Sequence, residues 1–161
     1  MEKSTNQRVD QNEIRTHQIF VITGLMIGFI TDQWSWIAAQ SIIFLITFLK
    51  PSLGPYVLIY KKILVPLGLV SSDVRVDVPQ AHQFTMGIGF VVAASASYFL
   101  YMGHSALGWS LVWLVVTLGA IALAGWCVGC FSYYMLNRLG LGGFFKHRAI
   151  AGIFPGARPG K

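Results

Sequence analysis

Carboxylates are scarce in this chain. Asp and Glu number six against twelve Lys and Arg in 161 residues, and charged side chains are 11% of the total, against roughly 25% in a soluble domain. So few charges exclude a fold whose whole surface faces water. There are no paired carboxylates, no phosphate-cradling loop and no Ser/His/Asp set placed for hydrolysis, so the usual signatures of hydrolases and nucleotide-binding enzymes are missing. Nothing in the sequence asks for a resident cofactor. Cysteine is nearly absent as well: Cys127 and Cys130 are the only two, which excludes a disulfide-built scaffold. The polar start, Met1 to Gln18, lacks the basic, apolar and small-residue regions of a secretory signal, and no cleavage is expected.

Apolar residues fill the space that charge leaves, at 55% of the chain. Four apolar segments stand out: Ile19 to Thr31, Trp34 to Leu49, Phe84 to Met102, and Leu107 to about Val128. A membrane crossing takes about 20 residues. The last two segments meet that length. The first two are short, and are read either as a re-entrant hairpin or as full spans extended into their polar flanks. The net charge of +6 in so apolar a chain points to an anionic membrane surface, and nucleic acid is not expected. With four spans, all twelve basic residues fall on one side, which makes both termini and the central loop cytoplasmic. Trp34, Trp36, Tyr98, Tyr101 and Trp109 are expected in an outer aromatic belt. Tyr56, Tyr60, Trp126, Tyr133 and Tyr134 are expected in an inner one.

The two halves echo each other. Thr16-His17-Gln18-Ile19-Phe20 opens one and Ala81-His82-Gln83-Phe84 the other, each leading into a glycine-bearing apolar stretch. This is the pattern of a parallel repeat. The expected fold is an all-α bundle of four transmembrane helices in two pseudo-repeated hairpins, with cytoplasmic interfacial helices. Its parts are a polar N-terminus over 1–18, a membrane domain over 19–138 with halves 15–69 and 80–138, and a basic Gly/Pro-containing tail over 139–161. Gly24-x-x-x-Gly28 and Gly125-x-x-x-Gly129 permit close helix contact, and a homo-oligomer is an open possibility.

The candidate chemistry rests on Cys127-Val128-Gly129-Cys130. Aligning the halves puts Gly54 on Gly129 and Pro55 on Cys130, at the cytoplasmic boundary and the start of a short amphipathic helix. The alternative is one unbroken helix that carries the thiols into the inner leaflet. A thiolate at a helix N-terminus has a lowered pKa, whereas one in lipid is inert. Three readings follow: thiol or sulfur exchange, plain packing, and a soft-metal site. A metal needs more donors than two sulfurs, and His17 and His82 are the candidates for them. Their simpler reading is as interfacial histidines preceding helices.

The layout resembles a bacterial family of small membrane proteins classed as a domain of unknown function. The resemblance covers roughly residues 15 to 138. It rests on His82-Gln83-Phe84, the paired helices, the Pro-containing inner loop and Trp126-Cys127-Val128-Gly129-Cys130. It implies association with thioredoxin-like and rhodanese-like proteins, hence thiol or sulfur traffic. The expected function is a thiol–disulfide or sulfur relay in the bacterial inner membrane, with Cys127 attacking and Cys130 resolving. The rivals are a carrier or channel for a small sulfur species or soft metal, and a non-catalytic subunit of a membrane assembly.

Overall fold

The computed structural model describes residues 7–139 and 154–158. The expected stretches over 1–6 and most of the basic tail lie outside those residues. The described chain is mostly helical. It runs β1 (Gln7–Asp10), α1 (Gln11–Ile30), α2 (Trp34–Leu49), a short α3 (Pro55–Ile59) continuing as a π turn over Tyr60–Leu64, β2 (Val74–Asp77), α4 (Pro79–Tyr101), α5 (Ser105–Leu123) and α6 (Val128–Arg138). Helices α4 and α5 are long and apolar enough to cross a membrane, and α2 is apolar but shorter.

The four long helices close a ring in which α1 packs on α2, α2 on α4, α4 on α5 and α5 back on α1. Leu25, Ile37, Phe44, Ala93, Ala96 and Val112 fill its centre. Gly24 and Gly28 stand against Gln40 and Ile37 of α2, which matches the packing role of small residues at helix contacts.

Two parts of the architecture differ from the sequence-based expectation. First, α1 starts eight residues before the apolar stretch, because Asp10 caps it: the Asp10 carboxylate accepts from Asn12 N–H at 3.0 Å. The same carboxylate accepts from the Tyr60 and Ser72 hydroxyls at 2.8 and 2.7 Å, tying the central loop to the start of α1. Second, the chain is not wholly α. β1 pairs antiparallel with β2, Gln7 opposite Asp77 and Asp10 opposite Val74. Each strand is four residues long; β1 carries no clear period, whereas Val74-Arg75-Val76-Asp77-Val78 does alternate with the period of a strand. The pairing leads into α4, where Pro79 occupies the first turn with no N–H to leave unsatisfied.

The inner aromatic belt is also corrected. Tyr60, Tyr133 and Tyr134 are buried. The last two pack with Val78, Ala81 and Cys130 as a second small core at the end of the bundle. Trp34, Trp36, Tyr98 and Tyr101 remain exposed.

His17 lies in α1 between the Phe44 and Tyr56 rings, at centroid distances of 6.2 and 5.5 Å. Both ring nitrogens are buried without a hydrogen-bond partner among the described residues. A buried polar group without a partner costs about 1–3 kcal/mol, and an apolar replacement of similar shape removes that cost. His17→Leu is therefore expected to leave the thermal midpoint in detergent unchanged or raised. A fall of several degrees would mean that His17 has a partner which this fold lacks.

Candidate thiol site

Helix α5 ends two residues before Gly125. The Gly125 and Trp126 N–H groups donate to the Ala122 and Ile121 carbonyls at 3.1 and 3.3 Å, the paired closure of a Schellman motif. Gly125 takes φ +112° there, a conformation that side chains with a Cβ rarely adopt. This break decides between the two placements of the cysteines: they do not continue α5 into the bundle. Gly125 and Gly129 accordingly belong to different elements and form no shared helix-contact motif.

Cys127 is the N-cap of α6, and its sulfur accepts from Cys130 N–H at 3.2 Å. The alignment of the halves is thus displaced. Gly54, the residue before α3, corresponds to Cys127, and α6 begins two residues earlier than the Gly54–Gly129 match implied. A thiol sulfur can cap a helix, as a Ser or Asp oxygen does.

Helix α6 packs on the first turns of α4. The contact is close because position 129 has no side chain: a Cβ there would lie 2.5 Å from Thr85 Oγ1. That approach brings Thr85 Oγ1 to 3.6 Å from both sulfurs and His82 Nδ1 to 3.5 Å from Cys130 Sγ. His82 Nε2 lies 2.9 Å from Asp77 Oδ2. Asp77 also accepts from Gln11 Nε2 at 2.9 Å and Val78 N–H at 2.8 Å. Asp77 reaches His82 because it lies two residues before α4, and the β1–β2 pairing brings Gln11 to it. Burial opposes the Asp77 charge, and the bonds from His82, Val78 and Gln11 outweigh it, holding the carboxyl below its usual range.

The far side is closed by Phe154–Arg158. Cys127 N–H donates to Gly156 O at 2.7 Å, Arg158 N–H to Gly125 O at 2.9 Å, and Trp126 Nε1 to Pro155 O at 3.2 Å. A cavity of about 30 Å³ remains, lined by Asp77, His82, Cys127, Cys130, Tyr134 and Arg158 among others. Its size suits one or two waters.

Both thiols are free, Cys130 buried and Cys127 partly accessible. They titrate as a pair. The hydrogen bond from Cys130 lowers Cys127 most. Burial opposes it, and the His82 charge, Thr85 and the Cys130 N–H add to the lowering, taking Cys127 to about 6. Cys130 keeps its proton: its bond to Cys127, burial and the neighbouring thiolate charge push it well above an ordinary thiol. Such a pair is chemically asymmetric, with one sulfur ready as a nucleophile and the other held in reserve.

Of the four sequence candidates, the structure brings Cys127, Cys130 and His82 together, with their donor atoms within 4.8 Å of one another. His17 is not in that group. Asp77, Thr85 and the Phe154–Arg158 closure were not foreseen. Thr85 stands three residues after His82, hence on the same helical face, and that spacing was a readable signal. Asp77 stands five residues before His82, just ahead of α4, a local spacing that was readable too; Gly156 left no signal, since a distant return of the chain places it.

A family model described as "Domain of unknown function (DUF4395)" matches residues 9–138. The chain belongs to the DUF4395 family. The match runs from within β1 through α6, so the thiol pair, His82, Asp77 and Thr85 all lie inside the family domain. The closing segment Phe154–Arg158 lies beyond it. No curated protein matches this DUF4395 chain, and no solved structure does.

Proposed function

We propose that this DUF4395 protein is a membrane thiol relay that exchanges disulfides or sulfur with a thioredoxin-like or rhodanese-like partner at the cytoplasmic face. The observation that carries the reading is the asymmetric pair: a helix-capping Cys127 with a lowered pKa, and a buried Cys130 that keeps its proton. In the proposed cycle, Cys127 thiolate attacks one sulfur of the partner's disulfide, and the partner's other sulfur leaves as a thiolate. Cys130 then gives its proton to His82 Nδ1, 3.5 Å away, and attacks Cys127 Sγ. The Cys127–Cys130 disulfide forms, and the partner leaves with both of its thiols reduced. Two electrons pass from this pair to the partner, and the reverse sequence oxidises the partner. In its charged form His82 favours the Cys127 thiolate; in its neutral form, with Nε2–H donated to Asp77, the ring presents Nδ1 as the acceptor for the Cys130 proton.

The proposal includes four crossings by α1, α2, α4 and α5 of the bacterial inner membrane, with both termini cytoplasmic. Large apolar side chains face outward on all four helices, among them Ile27 and Ile30, Ile42 and Ile46, Val91, and Trp113 and Leu114. Arrays of that kind are rare on surfaces that face water. Helix α1, at twenty residues, is about 30 Å long. The basic residues Arg8, Arg15, Lys50, Lys61, Lys62, Arg75 and Arg138 sit before α1 or in its first turns, between α2 and α4, or at the end of α6, the same end in a four-crossing chain, as the positive-inside rule asks.

Trapping tests the relay. Cys130→Ser, expressed in cells and quenched with acid, is expected to accumulate a covalent adduct that reductant removes, because nothing resolves the mixed disulfide. Cys127→Ser is expected to form none. Equal adduct from both variants, or none from either, would remove the relay reading.

A further inference from the structure

We propose that Cys127, Cys130 and His82 form a zinc site, with two thiolates and one imidazole as protein ligands and a fourth position open to the small cavity beside them. The assignment goes beyond the relay and does not depend on it, since a metal can be held whether or not the pair exchanges disulfides.

Geometry carries the inference. Zinc binds thiolate sulfur at about 2.3 Å and imidazole nitrogen at about 2.0 Å in a tetrahedron, which sets sulfur and nitrogen roughly 3.5 Å apart. Cys130 Sγ and His82 Nδ1 are 3.5 Å apart. All three donor atoms lie within 4.8 Å of one another, so small side-chain rotations suffice to converge them on one ion. The Cys-x-x-Cys spacing at a helix start is a zinc-ligand spacing. Here the backbone adds a Cys130 N–H directed at Cys127 Sγ, a donor that stabilises a coordinated thiolate.

The surroundings of His82 are the second, independent observation. A metal-binding histidine usually gives its other ring N–H to a carboxylate, which fixes the tautomer and raises the basicity of the ligating nitrogen. His82 Nε2 lies 2.9 Å from Asp77. Asp77 is in turn oriented by Gln11 and Val78. The arrangement leaves Nδ1, the nitrogen facing the sulfurs, free to ligate.

Charge selects the ion. Two thiolates and a neutral imidazole balance Zn²⁺ to zero, which suits a site as buried as Cys130, whereas Cu⁺ leaves a net negative charge. Thiolate donors exclude Mg²⁺ and Ca²⁺. With three protein ligands the fourth position is left for water or an incoming thiolate, the pattern of reactive rather than structural zinc. Zinc and the Cys127–Cys130 disulfide exclude each other, since both use the same two sulfurs. Binding displaces the thiol protons. Zinc would therefore hold the pair reduced and silent until a competing thiol or chelator removed it.

The test uses the full chain, reduced and purified in detergent, with Co²⁺ as the spectroscopic probe and Zn²⁺ in competition with a chromophoric chelator. One Co²⁺ per chain is expected, with thiolate-to-cobalt charge transfer and the intense visible bands of a four-coordinate ion, all displaced by Zn²⁺. Cys127→Ser and Cys130→Ser should each lose the charge-transfer intensity of one thiolate. His82→Ala should lose the four-coordinate bands. Asp77→Asn is expected to keep the stoichiometry and lower affinity about 10–100-fold, a readout that survives if the ligand variants misfold. Absence of cobalt bands and of zinc competition in the reduced wild type overturns the site. Cobalt spectra unchanged in His82→Ala overturn the ligand set, and binding of Cu⁺ without Zn²⁺ overturns the choice of ion. The Cys130→Ser adduct reports on the relay alone, so failure of either idea is distinguishable from failure of the other.

Discussion

Alkylation of Cys127 by a small reagent is expected to titrate with a midpoint near pH 6. An ordinary cysteine has a pKa of about 8.5. At pH 5.5 the thiolate fraction would be roughly a quarter, against roughly 0.1% for a free thiol. That is a ratio of about 240. A less basic thiolate is also a poorer nucleophile, and with a Brønsted coefficient of about 0.4–0.5 this takes back roughly tenfold. Cys127 should therefore react about twentyfold faster than a free thiol at pH 5.5, and only about threefold faster at pH 7 by the same reasoning. The acid limb is where the effect is decisive. The sign follows from the causes. The largest is the hydrogen bond from Cys130, so Cys130→Ala should move the midpoint up toward an ordinary thiol. Cys130→Ser, which keeps a donor, should move it less. Mass spectrometry of the alkylated peptide against pH measures all three. A wild-type midpoint at or above that of a free cysteine would leave the relay without its attacking group.

Gly129→Ala is expected to disrupt the site although it touches neither sulfur. The added Cβ would lie 2.5 Å from Thr85 Oγ1 and 2.6 Å from Thr85 Cγ2. Contacts so short force α6 away from α4. Overpacking of this kind costs about 1–3 kcal/mol. In a bundle end held by few buried residues, the loss should appear as a lower thermal midpoint together with a Cys127 midpoint shifted toward an ordinary thiol, because the sulfurs withdraw from His82 and Thr85. Thr85→Ala removes both of the clashing atoms. The double variant should then recover most of the thermal loss, since the remaining contact, with Thr85 Cβ at 2.9 Å, is a smaller overlap. A Gly129→Ala protein with unchanged stability and an unchanged Cys127 profile would mean that the α4–α6 contact does not build the site.

The apolar segments were readable because hydropathy is local. Helix α2 has the bounds that the sequence implied, Trp34–Leu49, since Asp32-Gln33 before it and Pro51 after it punctuate an otherwise apolar run. The same local signal misjudged the ends of its neighbours. Helix α1 reaches back to Gln11 through polar residues that hydropathy counts as flank, and its true start is written in a cap, Asp10. Helix α5 stops at Leu123, short of the apparent run to Val128, because Gly125 reverses the backbone while the side chains beyond it stay apolar. A hydropathy pattern reports what the chain contacts, and only cap and turn chemistry reports where a helix stops.

His17 and His82 mark the limit of the sequence most clearly. Each precedes an apolar stretch, each is followed by Gln and then an apolar residue, and sequence alone treats them as equivalents. The fold separates them. His17 is sealed among aromatic rings with no polar partner among the described residues, while His82 faces Asp77 on one side and Cys130 on the other. The sequence by itself determined that the chain is apolar, largely helical and equipped with a single Cys-x-x-Cys pair, because composition, periodicity and spacing act within a few residues; the turn at Gly125 decided that the pair opens a new helix. The tertiary structure alone decided that the pair has a histidine and a carboxylate behind it. Those groups are 45 to 53 residues away in the chain, side by side at the start of α4, and they meet the sulfurs because Gly129 lets α6 press against Thr85 of α4.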